Sequence, residues 1–83
     1  MKHTVFVLYS PLVDRYFVGS SSNPEKAINR HNSGKNKHTK SGIPWRVVCQ
    51  KTFDTVEKAK EAEASIKSSG DRTELESRIE KLK

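Results

Sequence analysis

Two polar side chains interrupt stripes that otherwise face inward. His31 follows Pro24, Ala27 and Ile28 along one side of a helical segment, and Glu63 stands among Val56, Ala59 and Ile66 in another. A carboxylate taken out of water must be paired, hydrogen-bonded or bound to a cation to offset its desolvation. Glu63 therefore either lies at the edge of its stripe and reaches water or a lysine, or it serves a functional site. His31 also has two readings, a histidine at a helix C-terminus favoured by the dipole or a member of a functional site. Between the two segments runs a basic stretch with Lys35, Lys37, His38 and Lys40, beside Arg30, Arg46 and Trp45. Lysines on a flexible, glycine-flanked loop suit phosphate contacts, which give affinity without reading sequence. A solvated surface loop has the same composition.

The whole-chain balance bears on that choice. A net charge of +6 on 83 residues points to an anionic partner, either nucleic acid or an acidic surface. A chain of this length buries roughly 60% of its unfolded surface, which allows a single domain over residues 1–83 and one modest core. Hydrophobic content of 33% is low, but 31% charged residues and clear periodicity argue for a folded domain over a disordered one. A single cysteine, Cys49 in an apolar run, excludes an internal disulfide and a cysteine-based zinc site. The longest apolar run, VFVLY, is too short to cross a membrane and soon meets Pro11, Asp14 and Arg15, so no membrane partner is expected. The default residence is cytoplasmic.

The elements that must position these groups follow from the pattern. Residues 3–9 and 15–19 are rich in β-branched and aromatic types and read as a hairpin joined by SPLVD, with Gly19 ending the second strand. Alternation puts Phe6 and Leu8 on one face, Val5, Val7 and Tyr9 on the other, and separates Tyr16 from Phe17. A helix then starts either with Ser22 capping and Glu25 completing a box, or with Asn23 capping and Pro24 in the first turn. Gly34 supplies its stop. Residues 34–44 form a polar loop and residues 45–53 a third strand. Asp54 with Glu57 opens a second helix that runs to about Ser68, and Asp71 with Glu74 caps a third carrying Leu75, Ile79 and Leu82. The expected fold is α+β, a small three-stranded sheet flanked by helices in the order ββαβαα.

Taken together, these segments resemble the GIY-YIG nuclease superfamily in its short single-domain form. The resemblance is carried by TVFVLYS, DRYFVG, a helix ending RHNSGK, then KHTKSGIPW and FDT, with Glu63 in the following helix. The final segment departs from the pattern, because Ser68, Ser69, Gly70 and Asp71 intervene where short members carry a tryptophan and a basic run. The resemblance implies phosphodiester hydrolysis with one divalent cation, Mg²⁺ or Mn²⁺, on a glutamate corresponding to Glu63, and a helix histidine corresponding to His31. It places the two motif tyrosines at Phe6 and Phe17 and the catalytic arginine at Ala27.

Three of the five family positions have thus lost their chemistry. A missing general base costs roughly 10²–10⁴ in rate, and a missing electrostatic donor about 10²–10³. Tyr16 and Tyr9 lie at odd offsets from the two phenylalanines, so without a bulge their phenols project from the opposite face. The expectation is a nuclease-like domain whose cleavage is lost or severely weakened. It binds nucleic acid, DNA more than RNA, through Arg30, Lys35, Lys37, His38, Lys40 and Arg46, and holds metal weakly at Glu63. One alternative is an active metal-dependent DNA endonuclease with rearranged groups, in which His38 or Arg30 substitutes. Another is a protein-interaction module that uses the Leu75, Ile79 and Leu82 stripe for a protein partner. Oligomeric state is left open.

Overall fold

The computed structural model describes residues 2–35, 37 and 39–83. Its elements run β1 (His3–Ser10), β2 (Arg15–Ser21), α1 (Pro24–Asn32), a 3₁₀ turn (Lys40–Gly42), β3 (Arg46–Phe53), α2 (Val56–Lys67) and α3 (Arg72–Leu82). This is the expected ββαβαα order. The three strands form one antiparallel sheet in the order β2-β1-β3, with β1 central. Among the described residues, no helix is long and apolar enough to cross a membrane.

Alternation divides the core into two layers, as the sequence requires. Phe6 and Leu8 meet Trp45, Phe17, Ala27, Ile28 and Ile43 under α1. Val5, Val7 and Val18 meet Ala59, Ile66, Ile79 and Leu82 under α2 and α3, and half-buried Cys49 packs beside them. Because Ile79 and Leu82 are buried and Leu75 packs against this core, the last helix's stripe is not free to dock a partner. The interaction-module reading that rested on that stripe loses its basis.

Several local expectations change. The second strand does not end at Gly19 but continues through Ser21. Asn23 is the cap of α1, accepting from the Lys26 amide at 3.2 Å, with Pro24 in the first turn. α2 is capped by Thr55, which accepts from the Lys58 amide at 3.2 Å, and not by Asp54. Both residues have capping side chains, and the helix begins one position later than the Asp54–Glu57 spacing suggests. Asp71 caps α3 as expected, accepting from the Glu74 amide at 2.8 Å. Gly34 ends α1 with φ +82°, the left-handed conformation that glycine adopts without strain.

One clasp ties the hairpin tip to the far end of the chain. Asp14, at φ +53°, takes two hydrogen bonds of 2.8 Å from the Arg72 guanidinium and another from the Tyr9 hydroxyl. The guanidinium also lies over the rings of Tyr9 and Tyr16, 5.9 and 5.3 Å from their centroids. Arg72, and secondarily Tyr9, pull the Asp14 pKa from 3.8 down to about 2. A lowered carboxyl pKa contributes stability that is present above the ordinary value and lost as pH falls through the folded one. Asp14→Asn keeps a residue tolerant of the left-handed turn. It is expected to lower the melting temperature near neutral pH, with the difference closing as the pH drops below about 2. Circular-dichroism melts across a pH series check this, and a gap that persists undiminished in strong acid contradicts it.

Candidate functional site

The site is built outward from Gly19. Register places it opposite Phe6, with Phe17 two residues earlier on the same face. A Cβ on Gly19 would stand 2.9 Å from the Phe6 ring and 3.0 Å from the Phe17 ring. The glycine therefore serves to let two aromatic rings close over the strand. His31, in the last turn of α1, completes the cluster. Its imidazole lies 4.4 Å from the Phe17 ring and 6.3 Å from the Phe6 ring, centroid to centroid. Ala27, one turn earlier, packs on the same group. Phe6, Phe17, Ala27 and His31 are thus brought together, and the two phenyl rings fill the space between them.

His31 is buried, and its Nδ1 lies 3.1 Å from the Thr39 hydroxyl. Burial, followed by the nearby Arg30 charge, lowers its pKa. The dipole reading, in which a helix-end histidine gains from being charged, does not describe this imidazole. Thr39 is itself 1% exposed, and its carbonyl accepts from the Trp45 indole at 2.7 Å. Asn32 closes the loop's other end, accepting from the Trp45 amide at 2.7 Å and donating to the Trp45 carbonyl at 3.1 Å. Gly42 lies under the indole, where a Cβ would stand 2.5 Å from the ring. Asn32, Thr39 and Gly42 were not among the expected site residues. Each acts through a contact made on folding, and a polar loop residue carries no signal of that.

This folded-back loop leaves its cations outside. Arg30, Lys35, Lys37, Lys40 and Arg46 are all exposed, while His38 lies outside the described residues. Arg30 and Lys35 share a shallow cleft of about 260 Å³ with Lys26, a cation the sequence reading did not include. Arg46 lies at the start of β3, paired opposite Tyr9.

Glu63 sits elsewhere. α2 packs on the opposite sheet face, and there Glu63 accepts a 2.5 Å hydrogen bond from Ser20, the residue after Gly19. Its second oxygen is 2.7 Å from Lys67, and Lys60 approaches the first at 3.9 Å. Burial is the largest single influence and raises the pKa, but Lys67, Ser20 and Lys60 together outweigh it, so the carboxyl titrates below its ordinary range. Both oxygens are already engaged, one by a hydroxyl and one by an ammonium. Among the described residues no cluster of three or more histidine, cysteine or acidic side chains stands ready to hold a metal. This donor set does not fit a resident divalent cation. The phenols of Tyr9 and Tyr16 do not reach the aromatic site either. They pair across the hairpin on the α2 and α3 side, and the one irregularity in β1 pairing falls against β3.

A three-stranded antiparallel sheet with one helix on one face and two on the other, carrying the hairpin-glycine-helix arrangement just described, defines a GIY-YIG nuclease-like domain. The sequence matches the GIY-YIG catalytic domain over residues 2–79, and the chain belongs to that family. Its structure is similar to the solution structure of the UPF0213 protein BH0048 from Bacillus halodurans. The two share 27% identity with a TM-score of 0.63, over 96% of this chain and 84% of that one. No curated protein sequence matches significantly.

Gly19→Ala tests the packing directly. Forcing a methyl group against the buried Phe6 ring and the half-buried Phe17 ring is expected to destabilise the domain by about 1–3 kcal/mol in chemical denaturation. A loss near zero would mean that the rings do not depend on the gap.

Proposed function

We propose that this chain is a GIY-YIG domain that has given up phosphodiester cleavage and binds nucleic acid through the outer end of α1 and the loop that follows. The observation that carries this reading is the occupied site. Where family chemistry calls for two phenols and a guanidinium, Phe6 and Phe17 stack around His31 and Ala27 leaves a methyl group. A phenyl ring has no oxygen with which to accept a proton or hold a water, and alanine cannot neutralise phosphate. Glu63 adds to this, since its oxygens are committed to Ser20 and Lys67. Binding of Mg²⁺ or Mn²⁺ there is weak, because a single engaged carboxylate is a poor site without substrate phosphate to complete it.

The binding half of the proposal rests on the exposed cations. Lys26, Arg30 and Lys35 line one cleft, and Lys37 and Lys40 of the following segment are also exposed. These groups make phosphate contacts, with DNA as the favoured form, while buried Trp45 holds the loop that presents them through Thr39 and Asn32.

Two measurements test the two halves. In a plasmid-nicking assay with Mg²⁺ or Mn²⁺, the parent protein and Glu63→Ala are expected to be indistinguishable from buffer. Cleavage that disappears in Glu63→Ala would establish an active enzyme with rearranged groups. In fluorescence anisotropy with a DNA duplex, affinity is expected to fall with salt. Neutralising Lys35, Lys37 and Lys40 to glutamine should reduce the slope of log K against log[salt] by about 2–3. Affinity indifferent to all three changes removes the loop from the interface.

A further inference from the structure

The 3₁₀ turn carries a serine to the foot of the hairpin. Arg15 opens β2 and pairs with Ser10 at the end of β1. Gly42 packs on that same Ser10. A Cβ on Gly42 would stand 3.0 Å from the Ser10 hydroxyl oxygen, as well as 2.5 Å from the Trp45 indole. Trp45 is fixed in turn by Asn32 and by the Thr39 carbonyl. Ser41, the residue before Gly42, is thereby brought to the hairpin. Val13, Arg15, Ser41 and Trp45 line a cleft of about 460 Å³ between the two.

Charge decides what the cleft takes. Its lining includes one cation and no acid. Arg15 is exposed and makes no ion pair among the described residues. Asp14 and Asp71 border a separate cleft that Arg15 also touches, and both are engaged there. Asp14 holds Arg72, and Asp71 caps α3. We infer that the cleft of Arg15 and Ser41 takes a backbone phosphate of the bound nucleic acid. The planar guanidinium fork matches two phosphate oxygens, the Ser41 hydroxyl donates to the same group, and Val13 and Trp45 receive the adjoining sugar. A phosphodiester carries a single negative charge, which one guanidinium balances. The inference rests on the nucleic-acid reading and adds the hairpin to its interface. Lys26, Arg30, Ser33 and Lys35 line a cleft where the loop leaves α1, whereas Ser41 and Trp45 line this one where the loop reaches β3. The nucleic acid is thus held at both ends of a segment whose ends Asn32 ties together.

The test is fluorescence anisotropy of the full chain with a labelled DNA duplex across a salt series. Arg15→Gln is expected to reduce the slope of log K against log[salt] by about 1. Arg15→Lys should keep the slope, because it keeps the charge. Ser41→Ala removes a donor and no charge, so affinity should fall by about two- to tenfold at unchanged slope. Arg15 and Ser41 are both exposed, and the variants are expected to melt with the parent. Lys58→Gln, at an exposed lysine of α2 on the opposite sheet face, should change the slope little. A fall as large as that of Arg15→Gln would mean that Arg15 acts through net charge alone, and would overturn the proposal. If neutralising Lys35, Lys37 and Lys40 lowers the slope while Arg15→Gln does not, the cleft is excluded and the loop reading stands. If the parent binds no duplex even at low salt, both fall together. Inorganic phosphate at matched phosphate concentration should leave the Ser41 and Gly42 amide resonances in place while the duplex moves them. Equal shifts would assign the cleft to free phosphate instead.

Discussion

The fold around α1 is organised by a space the size of one methyl group. With Gly19 facing Phe6 across the hairpin, two rings close to within contact of the strand backbone and of each other's neighbour, His31. Burial of the aromatic pair anchors α1 through Ala27 and Ile28, and α1 in turn presents its final turn toward the loop. Interiors are packed as densely as organic crystals, so a methyl group at this point cannot be absorbed by a small shift of a flexible side chain. The space between Phe6, Phe17 and Ala27 is filled by hydrocarbon, with the His31 imidazole at its edge.

The same packing explains how the architecture accommodates phenylalanine at both positions. Phenylalanine preserves nearly all the buried area of tyrosine, so each exchange removes an oxygen while leaving the ring's contribution to the core intact. Alanine at position 27 favours the helix more than most residues would. Glu63 has a structural occupation, joining α2 to the strand residue that follows Gly19 and neutralising Lys67. α1, which carries His31, packs on one sheet face and α2 on the other, where Glu63 is tied to Ser20 of the edge strand β2.

Much of this was legible in the residues. Strand alternation sorted Phe6 and Phe17 from Tyr9 and Tyr16 correctly, because a two-residue period leaves little freedom once one face is apolar. The Asp71 cap and the inward side of α3 followed from spacing alone. Gly19 was misread as a strand end because glycine is commonly a breaker; its role is clearance for rings whose approach depends on pairing register. The start of α2 slipped by one residue because Asp54 and Thr55 are equally able to cap. The displacement of Glu63 from the aromatic group was hidden too, since helical spacing tells which residues share a stripe but not which sheet face that stripe covers. The irregularity between Val7 and Leu8, where β3 gains a residue, has no sequence mark at all.

Asn32 has one more implication. By holding both backbone groups of Trp45, it welds the two ends of the intervening segment at a fixed spacing. Since lengthening a closed loop adds only logarithmically to its ordering entropy, insertions near Lys35 or Lys37 would leave the scaffold's geometry untouched. Evolution can therefore retune the reach and charge of that segment as a cassette, much as a tool head is exchanged on a fixed handle.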